Sequence, residues 1–223
     1  RGGNTVVFTP ETLVDVPNAV PSVDGSSAEP RRSDMIWAIL NQFGHQRTIV
    51  EAPLPLHHDR SPEPDTSLNF NRLAQDIQGY ACYSALLDVF KGAEKTANIL
   101  RFGTHELEEL KRRSAKYLNE RLAAFELAMY RVRGAAQTVL ALLDESRAVS
   151  AWWWSEDVTR QAVGEIRAFC ERVMCMCSIE EISKVIDTAK QLDSENVQEF
   201  ATCLGEHLDE YRTAVLRMCK TSA

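Results

Sequence analysis

Apolar side chains recur along one stretch of this chain at Ala115, Leu118, Leu122, Phe125, Met129, Val132, Ala136, Val139 and Leu143. From Leu118 onward the intervals alternate strictly between four and three. That spacing lines all of them along one side of an α-helix, and a side so long must be covered by other helices. The repeat therefore commits the chain to helix-on-helix packing. It carries no chemistry, and it serves packing within a chain and between chains equally well.

The neighbouring segments read the same way. Phe70, Leu73, Ile77, Tyr80, Ser84 and Leu87 open an amphipathic helix running from Asn69 to near Leu100. Gly103 breaks it, and Thr104 is the expected cap of the seam helix, with Glu106, Glu108 and Glu109 near its positive end. If unbroken to Ala148, that helix spans about 45 residues and roughly 65 Å, with Gly134 its weak point. Ser155, Glu156 and Asp157 start a third long helix carrying Val163, Ile166, Phe169, Val173 and Met176. Ser178-Ile179-Glu180-Glu181 is a capping box for a helix bearing Ile182, Val185, Ile186, Ala189 and Leu192. Ser194 caps the last helix, whose core face is Val197, Phe200, Leu204, Leu208, Tyr211, Val215 and Met218. The expected fold is all-α: an antiparallel bundle of five or six helices over residues 69–223.

Residues 1–32 form a different kind of segment, an extended arm with Pro10, Pro17, Pro21 and Pro30 around Gly25-Ser26-Ser27. Thr5-Val6-Val7-Phe8-Thr9 has strand character, and Thr12 to Val16 is a second extended candidate. A lone strand builds no sheet, so Val6, Val7 and Phe8 are expected to bind a partner. Residues 33–68 hold a short helix from Ser33-Asp34 to the Gly44 stop, then a Pro-rich loop containing His57-His58-Asp59.

Charge narrows the function classes. Lys and Arg number 25 against 32 Asp and Glu, a net charge of −7 over 223 residues. A dedicated nucleic-acid binder needs a basic footprint, and general adhesion to anionic membrane needs the same. Lys111, Arg112, Arg113 and Lys116 are the local exception, candidates for an acidic partner or RNA. Glu106, Glu108, Glu109, Glu120 and Glu126 lie at nearby turns, however, and self-pairing is the simpler account. No apolar run approaches the roughly 18 residues of a membrane span. The chain opens Arg1-Gly2-Gly3 without Met, as a processed chain or a fragment would.

The six cysteines sit inside apolar-periodic segments, where reduced, packed thiols in an intracellular protein are expected. Cys175 and Cys177, with Cys203 and His207 one helical turn apart, are the weak metal candidates. Their spacing departs from the Cys-x2-Cys pairs of common zinc modules. Trp152-Trp153-Trp154 is the most unusual local feature. Successive helical residues point about 100° apart, so three indoles cannot share one core, and Trp is favoured at interface hot spots.

No phosphate-cradling loop, nucleophile elbow or di-carboxylate metal box is present, so no catalytic residue and no cofactor are assigned. The expectation is a non-catalytic structural subunit of a larger assembly, in an organelle such as the mitochondrion. It would bind other protein subunits through Val6, Val7, Phe8, Trp152, Trp153 and Trp154. A self-assembling coat or nucleocapsid-type protein is the alternative, and a metal-binding or thiol-dependent helical protein the third reading.

Overall fold

The computed structural model describes residues 33–44, 46–48, 69–92, 102–148, 151, 157–192 and 194–221, together with Thr12 and Val16. The protein is all-α, and no strand occurs among the described residues. Among the described residues the helices in chain order are α1 (Ser33–Ile39), α2 (Phe70–Gly92), α3 (Thr104–Ala148), α4 (Asp157–Met176), α5 (Ile179–Ala189) and α6 (Ser194–Thr221). A five-residue π-turn, Leu40–Gly44, extends α1. The chain divides into two compact units, Arg1–Arg121 with Thr188–Ala223, and Leu122–Asp187.

Short side chains set the helix starts. Asn69 Oδ1 accepts the Arg72 N–H at 3.0 Å, satisfying a donor that the first turn of α2 would leave orphaned. Ser178 Oγ accepts the Glu181 N–H at 3.3 Å, and its carbonyl accepts the Ile182 N–H at 3.0 Å, forming the cap that the sequence spells out. At α3 the expected cap shifts by one residue. The Gly103 carbonyl accepts the Leu107 N–H at 3.0 Å, so Gly103 rather than Thr104 is the cap. The Glu106 carboxylate folds back over it, and a Cβ on Gly103 would stand only 2.6 Å from Oε2. Glycine fits there because the carboxylate occupies the space of a side chain.

In the first unit α1 packs on α2. The buried face of α2 is Ala74, Ile77, Gln78, Ala81, Cys82, Ala85, Leu86, Val89 and Phe90. This corrects the sequence reading, which followed the large side chains. Phe70, Leu73, Tyr80, Ser84 and Leu87 are only half-buried, and Ala74, Ala81, Cys82 and Ala85 lie as deep as Gln78 and Leu86. Small side chains lie this deep because they let neighbouring backbones approach closely. From α3 the first unit buries Leu110, Ser114 and Leu118; from α6 it buries Val197, Phe200, Ala201, Leu204 and Leu208. Gln78 is fully buried, and its Nε2 donates to the carbonyls of Thr188 and Ala189, both at 3.2 Å, at the end of α5.

The second unit packs around Ala136, Cys170, Val173 and Cys177, with Met129, Val139, Leu140, Met174 and Met176 against them. Arg133 Nη1 donates to the Cys177 carbonyl at 3.4 Å, covering an acceptor that the end of α4 leaves open. The seam of α3 is largely its inner face: Leu118, Leu122 and Ala136 are buried and Phe125, Met129, Val139 and Leu143 half-buried. Ala115 and Val132 fall outside it. Near the start of α3 the buried line runs Leu110, Ser114, Leu118, Leu122, at intervals of four. Such a line drifts around the helix, so a single rigid stripe fits only part of its length. Cys170 on α4 and Cys177 just past its end take the core places, while Ile166 and Phe169, expected there, face out.

Candidate interaction surface

Helix α3 changes character along its solvent side. Between Thr104 and Arg121 ten positions are exposed, and six of them carry charge. Between Ala123 and Leu142 twelve positions are exposed, and Arg131 is the only charge among them. The other eleven are Ala123, Ala124, Leu127, Ala128, Tyr130, Val132, Ala135, Gln137, Thr138, Ala141 and Leu142. Leu127 is 50% exposed, Tyr130 43% and Leu142 58%. Beyond α3, Ile166, Phe169 and Ile179 are exposed as well. All seven large apolar side chains that the structure shows exposed lie in the unit Leu122–Asp187. Scattered exposed leucines need no explanation; a helix side with a single exposed charge over 20 residues does, and contact with a partner supplies one.

The basic group on the first half of α3 meets carboxylates of its own chain. Lys111 Nζ is 2.9 Å from Glu108 Oε1, and Lys116 Nζ is 3.8 Å from Glu120 Oε1. Arg112 and Arg113 both reach Glu109 Oε1 at 2.7 Å, and Arg113 also reaches Asp88 Oδ2, on α2, at 3.0 Å. Hydrogen bonds from Arg112 and then Arg113 hold the Glu109 carboxyl down at about 2. The Tyr117 hydroxyl, donating to Asp88, lowers the Asp88 carboxyl most, with Arg113 assisting; the same bond raises the Tyr117 phenol. Arg121 lies over the Tyr80 ring, 5.2 Å from its centroid. Exposed ion pairs contribute little each, so this network fixes the register of α2 against α3 more than it adds stability.

The thiols are placed mainly by packing. Cys82, Cys170, Cys175, Cys177 and Cys203 are unbridged; Cys82, Cys170 and Cys177 are buried, Cys203 half-buried and Cys175 exposed. Burial pushes the Cys82 thiol up to about 12, and burial raises Cys177 although Arg133 opposes it. Cys175 and Cys177 thus face different surroundings, solvent and core. Cys203 belongs to the other unit, and the His207 side chain lies outside the described residues. No set of three His, Cys, Asp or Glu side chains fit to hold a metal occurs among the described residues. No described helix is long and apolar enough to cross a membrane.

One contact set went unread in the sequence. Trp37, buried on α1, donates from Nε1 to the Val16 carbonyl at 2.8 Å, and the Val16 side chain is fully buried. Arg47 Nη1 donates to the Thr12 carbonyl at 3.3 Å and to Asn41 Oδ1. Asn41, in the π-turn, is held by its own bond to the Trp37 carbonyl at 2.9 Å, and the chain then turns through Gln46 at φ 52°. Two arm carbonyls are therefore gripped by donors of their own chain. Thr12 is helical and Val16 lies at a bend, so the extended run expected over 12–16 is not formed at these positions. Nothing in the spacing of Trp37, Asn41 and Arg47 announces the grip. A lone tryptophan in a short helix beside a Pro-rich arm was the only hint.

Val6, Val7, Phe8, Trp152, Trp153, Trp154 and the His57-His58-Asp59 run lie outside the described residues. What the structure defines is an all-α protein with one charged, internally paired helix surface and one apolar surface open to solvent. No protein-family model, curated protein or solved structure matches the chain.

Proposed function

We propose that this chain is a non-catalytic structural subunit of a larger protein assembly, a bundle of five or six antiparallel helices preceded by an N-terminal arm. Its neighbours are held by the charge-poor side of α3 between Ala123 and Leu142, with the arm residues Val6, Val7 and Phe8 and the three tryptophans adding contacts. The observation that carries this reading is the single charge among twelve exposed positions. A free-standing protein keeps such a helix side polar, because exposed apolar area favours association. The unbridged thiols support an intracellular, reducing setting, and a mitochondrial complex remains the expectation for where the assembly resides.

Native mass spectrometry of material isolated gently from its own source tests the reading. A defined complex of this chain with different subunits is the expected result. A closed particle or ladder of identical copies would overturn it in favour of the coat-protein reading. Leu142→Glu should be lost from the complex while the helical signal is retained; its full retention would remove the α3 surface from the proposal.

A further inference from the structure

The α3 surface has an internal symmetry that bears on what covers it. Leu127 and Leu142 stand seven residues either side of the Gly134-Ala135 pair, and Arg131 and Thr138 stand three either side. We propose that a second copy of this chain packs antiparallel on this surface, with a two-fold axis passing at Gly134-Ala135. The inference rests on the reading of α3 as an assembly surface and names its occupant.

Three features favour a second copy. First, a two-fold antiparallel pair sets each Leu127 against the partner copy's Leu142, so both exposed leucines are covered by like side chains. Such an interface uses one patch twice and closes on itself. Second, the axis falls where the side chains are smallest. A Cβ built on Gly134 meets nothing within 4 Å, so its outer side is open. Small residues there allow the close end of the roughly 8–10 Å range of helix separations. Third, the one exposed charge meets an acceptor. Arg131, the only charge on the surface, comes opposite Thr138 of the second copy. Thr138 Oγ1 spends its proton on the Gly134 carbonyl at 3.0 Å, so its lone pairs remain to accept from a guanidinium. Like charges nowhere oppose each other over the strip, as they would for Arg131 if the axis passed through it.

Sedimentation equilibrium and native mass spectrometry of the 223-residue chain read the outcome. The chain should run as a dimer, and Leu127→Glu or Leu142→Glu should raise the dissociation constant by about tenfold or more. Both leucines are exposed, so the melting temperature extrapolated to the monomer should not move. Gly134→Leu, which strengthens the isolated helix but places bulk on the axis, should also yield monomers. A chain that stays monomeric up to about 100 micromolar overturns the proposal, because affinity below that level is too weak to specify a subunit pair. So does a dimer that survives both leucine variants. If the wild-type chain is monomeric yet Leu142→Glu still drops out of the native complex, a different subunit covers α3. In that case self-pairing fails while the assembly reading stands.

Discussion

The Tyr117 hydroxyl on α3 donates to the Asp88 carboxylate on α2, and Arg113 reaches the same carboxylate oxygen from one turn away at 3.0 Å. One acceptor thus joins two helices through a phenol and a guanidinium, and Arg113 passes the link on to Glu109.

This link makes stability depend on pH at both extremes. Asp88 and Glu109 have lowered folded values, so their contribution is complete above the ordinary carboxylate range and is lost as pH falls through those folded values, about 2 for Glu109. Tyr117 is raised above 10, so its contribution is complete below that value and is lost as pH rises through the folded value. Thermal melts should show a plateau between these limits. Asp88→Asn should lower it and flatten the alkaline fall, while absorbance titration should find one tyrosine ionising later than the others. A wild-type melting temperature that keeps rising below pH 4 would contradict the assignment.

Gln78 is buried with its two donors spent on Thr188 and Ala189, and its Oε1 has no partner. Gln78→Glu removes both donors and aims a carboxylate at two carbonyl oxygens. It should cost more than the roughly 1–3 kcal/mol of an unsatisfied buried polar group. Gln78→Leu also deletes the orphaned oxygen and should cost less. Urea melts at neutral pH would decide, and equal losses would show that the two bonds contribute nothing specific.

Trp37→Phe keeps an aromatic ring but removes the donor to Val16. The Val16 carbonyl then lacks that bond, at a cost of about 1–3 kcal/mol set against the docking of a short segment. Methyl NMR should show the Val16 signals moving to solvent-exposed positions in the variant while the signals of Leu204 and Leu208 stay fixed. Unmoved Val16 signals would mean that side-chain burial alone holds the arm.

Thiol reactivity should follow burial. Cys175 is exposed and should react first with an aromatic disulfide reagent in the native state. Cys82 is fully buried with its thiol held near 12, and should react only on unfolding. Mass mapping of labelled peptides over time checks the order.

Much of the helical layout was legible because caps and spacing are local. Gly44, Gly103 and Ser178 mark boundaries that the structure keeps, and α3 runs unbroken for 45 residues over the stretch its repeat defines. Which face turned inward was less legible where large and small residues compete. Periodicity weights Phe70 and Leu87 above Ala74 and Ala81, yet close backbone approach puts the alanines innermost. Phe169 read as core because the expected stripe admits it; Cys170 beside it fits the tighter space. The charge-poor solvent side of α3 was not legible, because Glu126, Arg131 and Arg133 all lie between Ala123 and Leu142 and only the fold shows that Glu126 and Arg133 are half-buried. Tertiary grips such as Trp37 on Val16 span 21 residues and leave no periodic trace.

The division of the chain has a consequence for how it comes to be made. The segment Leu122–Asp187 interrupts the other unit, whose two parts must meet across it. Gln78 is therefore synthesised 111 residues before the Ala189 carbonyl that it binds. Its amide must wait while the intervening helices emerge. Closing so long a loop is entropically costly if the loop is slack and cheaper if it has already condensed. An inserted segment that condenses early would act as the clasp of a necklace, shortening the slack between the two parts of the first unit that flank it.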